Sequence, residues 1–318
     1  MFASRTYSDN DLSGGHGFKQ MVEETFGVAG AFCFGDFVPY LDWLDFNGIR
    51  SRMQAVHKIL DEFAENVIDD HIHRRMGEGK LKKEDSVRDM VDVLLDMAET
   101  EDQTVSRVNI KAIIVDMLNA GIETSSTTIE WAMTELLRNP AMLARAQQEM
   151  ESTVGRDRSV NESDVRKFNC LRCVVKETFR FHPPAPLLVP HESIEGCSVG
   201  GYFVPPKTRL YVNVWAMGRD ENVWKDAHLF KPDRFMGSNK DVRGQDFDLL
   251  PFGTGRRGCP GISMALSVIE LALARLLHCF DWTVEGEVDV EEEFGLTVPR
   301  KNPLFVRRSW RLTAEYPI

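Results

Sequence analysis

The stretch that decides the fold is PFGTGRRGCPG, Pro251 to Gly261. It places Cys259 in a glycine-rich loop directly before a predicted apolar helix, Ile262 to Phe280. Glycines let the backbone approach a flat ligand closely, and the free N–H groups at a helix start favour a thiolate over a thiol. The pattern therefore predicts a cysteine that serves as an anionic ligand.

The same loop has a second interpretation, a dinucleotide site. Gly253, Gly255 and Gly258 read G-x-G-x-x-G, and Asp281 follows in a strand-like segment. Such a site needs a strand ahead of the loop, and the preceding residues, DLLPF, make a poor one. Little chain remains after Asp281 to complete a sheet. The dinucleotide site stays open as the less favoured alternative.

Two further motifs lie between the middle of the chain and this loop. The segment KETFR carries Glu177 and Arg180, and their spacing puts both on one helical face, where they can pair. The segment FKPDRF supplies Arg234. Taken alone, a glutamate and an arginine at this spacing are usually a solvated ion pair.

A fourth motif, AGIETSS from Ala120 to Ser126, lies inside a long predicted helix, Val105 to Arg138. Gly121 weakens such a helix by roughly 1 kcal/mol relative to alanine, which suggests a packing or functional reason. The hydroxyl of Thr124 can donate a hydrogen bond, and Glu123 can carry protons. Both residue types are also common on helix surfaces.

In this order the four motifs resemble those of the cytochromes P450, the haem-thiolate monooxygenases. Every fixed position of F-x-x-G-x-R-x-C-x-G is filled, by Phe252, Gly255, Arg257, Cys259 and Gly261. The one departure is Asp233, which replaces the glutamate of F-x-P-E-R-F. Three longer segments resemble the plant A-type enzymes: Lys176 to Ser193, Trp215 to Asp220 and Phe34 to Asp45. The last of these is also similar to plant hydroxylases of phenylpropanoids and flavonoids.

The resemblance implies a role for each motif residue. Cys259 would be the axial thiolate of haem b iron, and Arg257 and His191 would hold the haem propionates. Glu123 and Thr124 would deliver protons to bound O2. The remaining haem contacts would come from Phe252, Gly253, Gly261, Ala120 and Gly121, and the buried ion cluster from Glu177, Arg180 and Arg234.

The resemblance also implies an activity, the O2-dependent hydroxylation of a small apolar or phenolic plant metabolite in secondary metabolism. Electrons would come from NADPH through NADPH–cytochrome P450 reductase, which would dock on a basic patch: Arg166, Lys167, Arg172, Lys176 and Arg256. Substrate contacts would come from four segments: 34–44, 119–123, 187–189 and the chain around Thr297. Two alternatives are a haem-thiolate isomerase or dehydratase, against which Glu123 and Thr124 argue, and a non-catalytic fragment.

The expected fold is mainly α with a small β part, a single cytochrome P450 domain over residues 1–318 that lacks the N-terminal third. The family's anchor helix belongs to that third. Full-length members lie on the cytosolic face of the endoplasmic reticulum membrane, and the lack of the anchor leaves a soluble form open for this chain. The aromatic segment 28–46 has three interpretations: core, pocket wall or membrane contact.

Composition excludes other classes of function. The net charge of −11 argues against nucleic acid as a partner, and six scattered cysteines indicate free thiols in a reducing compartment. No run of about 18 apolar residues is evident, so no membrane span is expected. Cys170 and Cys173 lack the second pair that a zinc site needs, and His71 and His73 suggest a solvated helix end.

Overall fold

The computed structural model describes residues 18–45, 47–77, 88–100 and 105–313. These residues are mainly helical, with three small antiparallel strand pairs, so the predicted fold class is confirmed. The chain divides into two compact units, Met1–Ile122 and Glu123–Ile318. The expectation of a single domain stays a prediction.

The first unit contains helices α1 (Phe18–Ala29), α2 (Ile49–Gly77) and α3 (Met90–Ala98) and the start of α4 (Arg107–Arg138). Its core is the apolar face of α2, including Phe63 and Val67, which packs with residues of α3 and α4. The aromatic segment forms two short 3₁₀ helices, Phe34–Asp36 and Pro39–Leu44. Within the described part of that segment Phe37, Tyr40 and Trp43 are exposed, so they are not core side chains of this unit.

The prediction of a solvated end at His71 and His73 is wrong for His71. His71 is fully buried, with Nδ1 2.7 Å from the Val67 carbonyl oxygen and Nε2 2.9 Å from Asp89 Oδ2. Asp89 also accepts hydrogen bonds from the Val91 and Asp92 amides at the start of α3. His71 is buried because the capped start of α3 packs over this turn of α2. His73 is exposed, as predicted.

The second unit contains the rest of α4 and five further helices: α5 (Pro140–Val154), α6 (Glu162–Val165), α7 (Asn169–Phe181), α8 (Val214–Met217) and α9 (Ile262–Cys279). Its core forms where α5, α7 and α9 pack together, with Leu171, Val174 and Leu273 fully buried.

The helix that carries Glu177 and Arg180 is α7, which begins at Asn169, after the separate short helix α6 ends at Val165. The carboxylate of Glu149, on α5, accepts hydrogen bonds from the Cys170 and Leu171 amides at 2.9 and 3.3 Å. A carboxylate at this position satisfies free N–H groups and complements the positive end of the helix dipole. A side chain from another helix therefore sets where α7 begins.

Cys170 and Cys173 both lie on the buried face of α7, as expected of helix-face residues. Burial raises the pKa of the Cys170 thiol to about 11 and also raises the pKa of Cys173. Both side chains are therefore uncharged thiols at neutral pH.

Three antiparallel pairs make up the β part. Strand β1 (His191–Glu192) pairs with β4 (Arg209–Leu210), and β2 (Cys197–Val199) pairs with β3 (Tyr202–Val204). The strand predicted around DWTVEG is β5 (Phe280–Thr283), which pairs with β6 (Arg307–Trp310).

The expectation that no segment is apolar enough to span a membrane is wrong for α9. Among the described residues it is the one helix that meets this criterion by length and composition, with a mean hydropathy of 1.6. Leu266, Ile269, Leu273 and Leu277 are buried in the core of the second unit. Its apolar composition is explained by that packing.

Candidate functional site

The loop that carries Cys259 is closed by its own backbone. The Cys259 amide donates to the Phe252 carbonyl at 2.9 Å, and the Gly258 amide donates to Gly255 at 3.1 Å within a 3₁₀ turn, Gly255–Arg257. These bonds bring the chain back on itself between Phe252 and Cys259. The Cys259 side chain is left exposed.

Two glycines make this path possible. Gly253 and Gly255 have φ of +67° and +70°, in the left-handed region that other residues adopt at a cost. The segment 246–250 that precedes the loop forms turns and no strand. The dinucleotide interpretation is therefore excluded, because the strand it requires is missing here.

Gly244 is a loop residue that the sequence interpretation missed. Its carbonyl accepts a hydrogen bond from Thr254 Oγ1 at 2.7 Å, and a Cβ built on it would lie 2.8 Å from the Gly253 carbonyl oxygen. Its φ is +78°. The segment around Gly244 thus packs so closely on the Cys259 loop that only glycine fits without a shift.

Two other segments contact the loop from outside. The ring of Phe252 packs against Phe179 of α7, with centroids 4.9 Å apart. A Cβ on Gly253 would lie 3.6 Å from Leu188 Cδ1, in ordinary contact. The loop therefore rests on the helix that also carries Glu177 and on the segment that leads to β1.

Cys259 lies just ahead of α9. Gly261 is the capping residue, its carbonyl accepts the Ala265 amide at 2.8 Å, and a Cβ on it would be 3.8 Å from Cys259 Sγ. The thiol opens into a cleft of about 350 Å³. Residues that line this cleft include Arg243, Gly244, Phe252, Gly253, Cys259 and Ile262.

Arg257 and His191, the predicted propionate ligands, are both exposed. His191 lies in β1, opposite Leu210 of β4, and Arg257 ends the 3₁₀ turn. Within residues 105–313 neither side chain has a hydrogen-bond or ion-pair partner. Both side chains are therefore available to donate hydrogen bonds to an anionic ligand.

Glu177, Arg180 and Arg234 come together in a buried ion cluster. Arg180 donates from Nε and Nη2 to the two Glu177 oxygens at 2.8 and 2.7 Å, and Arg234 Nε lies 3.1 Å from Glu177 Oε1. Glu177 and Arg180 are fully buried, and Arg234 is nearly so. A buried pair of this kind requires that the remaining donors are also satisfied.

The remaining donors of Arg180 are all satisfied by backbone carbonyls. Nη1 donates to Gly218 and, at 2.8 Å, to Ala227, and Nη2 donates to Leu229 at 3.0 Å. All five N–H groups of the guanidinium are therefore used. The cluster fixes the irregular chain between α8 and Arg234 against the end of α7.

Asp233, where the motif departs from the family pattern, points away from the cluster. Its carboxylate is more than half exposed and pairs with Arg145 of α5 at 2.6 Å. The shorter side chain therefore leaves the contacts of Glu177, Arg180 and Arg234 unchanged.

The AGIETSS motif lies in α4, which continues through Gly121 as one helix and begins at Arg107, after a serine cap at Ser106. Ala120 and Gly121 are exposed, and Glu123 and Thr124 are half-buried. The first two residues belong to one compact unit and the second two to the other. Their role at the Cys259 loop stays a prediction.

The donor set around the loop fits haem. It combines one exposed thiol, two glycines whose positive φ shapes the loop, and the exposed guanidinium of Arg257, which has no partner among residues 105–313 and can bind a carboxylate. Soft thiolate ligation beside a helix start is a recognised mode of holding haem iron.

Comparison with known proteins gives a consistent result. A family model described as Cytochrome P450 matches residues 1–306. Cytochrome P450 750A1 of Pinus taeda is 45% identical, covering 98% of this chain and 62% of its own length. Flavonoid 3'-monooxygenase of Petunia hybrida is 42% identical, covering 94% of this chain and 59% of its own length.

A solved structure described as a zebra fish cytochrome P450 with progesterone superposes with a TM-score of 0.73 and 25% identity. The superposition covers 97% of this chain and 66% of the other. The chain spans about 60% of the length of the curated relatives it matches. The matched family model, these relatives and the shared fold show that the chain belongs to the cytochrome P450 family.

Proposed function

We propose that the protein is a haem-thiolate monooxygenase that hydroxylates a small aromatic plant metabolite. One observation carries the proposal: Cys259 is exposed in a cleft at the start of α9, in a loop closed by the bond from its own amide to Phe252. A cysteine held by its backbone, with its side chain exposed, can bind a metal without a change of fold.

Bound haem b would supply the reductive activation of O2 and the hydroxylation of a C–H bond. The protein would hold the group through Cys259, with charge-assisted hydrogen bonds from Arg257 and His191. Glu123 and Thr124 would move protons along α4. The Thr124 hydroxyl would be the proton-carrying group, because it can both donate and accept a hydrogen bond.

The substrate class rests on the relatives. Enzymes named flavonoid 3'-monooxygenase, from Petunia hybrida and Arabidopsis thaliana, are 42% and 40% identical to this chain. We therefore assign a planar phenolic substrate of the flavonoid or phenylpropanoid class. Segments 187–189 and the chain around Thr297 are the parts of the second unit expected to contact it.

NADPH–cytochrome P450 reductase is the proposed electron donor, and attachment to the endoplasmic reticulum membrane belongs to the same proposal. Arg166 and Arg256 of the basic patch are exposed. Arg172 is half-buried and donates to the Arg166 carbonyl at 2.8 Å and to Asn169, and Lys176 is bonded to the Lys240 carbonyl at 2.7 Å. The two exposed arginines are thus better placed than Arg172 and Lys176 to pair with an acidic partner.

Charge reversal tests the partner. Arg166→Glu should slow reduction by the reductase several-fold at low salt, with a smaller effect at high salt, because exposed charges steer association. Lys225→Glu, an exposed lysine outside the patch, is the control and should leave the rate unchanged. Equal rates for Arg166→Glu and the parent protein would contradict the docking surface.

The decisive experiment is the reduced, carbon-monoxide-bound difference spectrum of this chain expressed with haem supplied. Cys259→Ala removes the proposed ligand, and Cys197→Ala, which removes another exposed thiol, is the matched control. A red-shifted, thiolate-type Soret band in the parent and in Cys197→Ala, but not in Cys259→Ala, is expected. No such band in the parent would mean that these 318 residues do not form the working enzyme.

A further inference from the structure

His182, the residue after α7, has an unusual environment in the second unit. Its ring stacks on Trp131 of α4 with centroids 3.9 Å apart and an interplanar angle of 3°. Its Nε2 lies 2.9 Å from Glu135 Oε1. All three side chains are buried. Because a carboxylate can only accept, Nε2 carries a proton in this arrangement.

The other ring nitrogen has no partner. Nδ1 of His182 is buried and makes no hydrogen bond with any described residue. It lies 3.8 Å from Glu292 Oε1, which is an ion-pair separation and too long for a hydrogen bond. In neutral His182 the Nδ1 lone pair therefore faces a carboxylate oxygen, whereas a protonated ring would present an N–H group to it.

Glu292 belongs to a short ordered segment, 291–301. Glu292 and Arg300 form a β-bridge, the Glu293 amide donates to Pro299 at 3.0 Å, and the Lys301 amide donates to Glu291 at 2.9 Å. A displacement of Glu292 would therefore also move the paired residues, 299–301.

The same segment is tied to α4 and to the chain that follows α7. The indole Nε1 of Trp131 donates to the Val298 carbonyl at 3.0 Å, and the Val298 amide donates to Pro184 at 3.0 Å. Thr297, beside them, is buried. His182 therefore contacts segment 291–301 in two ways: through Glu292 near its start, and through Trp131, which is bonded to Val298 beside Thr297.

Two carboxylates contact His182: Glu135 of α4 and Glu292. Glu135 also pairs with Arg138, and Arg219, in the chain after α8, interacts with Glu292, Glu135 and Arg180. His182 itself, and then Arg219, lower the pKa of Glu292. Burial lowers the pKa of Arg219 to about 10, which still leaves its guanidinium charged at neutral pH. Glu292 therefore remains a carboxylate over the range in which an imidazole titrates.

We propose that His182 is a pH-dependent positioning residue, whose protonated form bonds Glu292 through Nδ1 and holds segment 291–301, with Thr297, against α4 and the end of α7. The proton comes from solvent, and no covalent bond changes. Neutral His182 makes one of the two side-chain hydrogen bonds, to Glu135, and protonated His182 makes both. That Thr297 shapes a substrate pocket rests on the proposed function, whereas the closing of the segment does not.

Amide hydrogen exchange measures the closing directly and needs no haem. The full chain is exchanged at about pH 8 and about pH 5.5, on either side of the ordinary imidazole range, and each rate is divided by that of the unstructured peptide. The reporters are the amides of Glu293, Val298 and Lys301, and the β2–β3 hairpin is the internal reference. We expect exchange at the reporters to become about tenfold slower at the lower pH, as one added charge-assisted hydrogen bond implies.

Three variants make the result specific. His182→Gln keeps a donor for Glu135 but does not titrate, and Glu292→Gln removes the acceptor charge; both should lose the pH-dependent protection. Glu293→Gln makes the same charge change one residue along and should keep it. The proposal would be overturned if the pH-dependent protection persisted in Glu292→Gln. It would also be overturned if the parent chain showed no such protection. If the parent chain showed this protection but no thiolate-type Soret band, the inference about His182 would stand and the proposed function would fail.

Discussion

Replacing Glu177 with glutamine should cost this protein a large share of its stability. The two carboxylate oxygens accept four N–H groups: two from Arg180, one from Arg234 and, at 2.6 Å, the amide of Lys231. Glu177→Gln keeps the shape of the side chain. It removes the negative charge and turns one acceptor into a donor that faces other donors.

The magnitude follows from the burial of the partner. Arg180 is fully buried, so the variant leaves a guanidinium without a counter-charge where water cannot reach it. Breaking a buried pair in this way costs about 3–5 kcal/mol. Because domains are stable by about 5–15 kcal/mol, we expect at least a partial loss of the folded state at 37 °C.

Equilibrium urea unfolding, followed by far-ultraviolet circular dichroism, measures this cost. Glu285→Gln is the matched control, because Glu285 pairs with Arg307 at 2.7 Å with both side chains about three-quarters exposed. An exposed pair contributes about 0–1 kcal/mol. If the two variants lowered the free energy of unfolding equally, Arg180 would be accessible to water and the description of the ion cluster would be wrong.

Two further predictions concern the Cys259 loop and the buried thiols. Gly244→Ala should lower the midpoint of thermal unfolding more than Gly237→Ala. Both glycines have positive φ, but only at Gly244 would a Cβ lie too close to backbone, 2.8 Å from the Gly253 carbonyl oxygen. Equal effects would show that the loop moves to accept the added methyl group. Iodoacetamide at about pH 8 should label exposed Cys259 and leave Cys170 unlabelled, since burial raises the pKa of Cys170 to about 11 and only the thiolate reacts. Mass spectrometry of the peptides measures the labelled fraction of each cysteine. Equal labelling would contradict the burial of Cys170 on α7.

Local patterns account for what the sequence predicts well. The long helix predicted over Val105 to Arg138 agrees with α4 to within two residues of its start at Arg107, where Ser106 caps the first turn. Residues of the Cys259 loop are close in sequence, so glycine spacing alone indicates its turns. The pairing of Glu177 with Arg180 also follows from helical spacing.

What the sequence did not reveal depends on residues far apart in the chain. The start of α7 is set by Glu149, 21 positions before Cys170. The close approach at Gly244, and the burial of His71 against Asp89, likewise arise when separate segments pack. Neither helical period nor motif spacing carries this information, since it belongs to tertiary contact.

The split orientation at FKPDRF bears on mutational tolerance. Asp233 faces Arg145 and solvent, whereas the neighbouring Arg234 donates to Glu177 and to the carbonyls of Lys225 and Asp226. In a saturation library scored for folded protein, position 233 should accept many side chains, while position 234 should retain arginine alone. Two neighbouring residues of one family motif would then differ in how strictly their side chains are required. The aspartate at position 233, although it departs from the motif, need not indicate a protein that folds poorly.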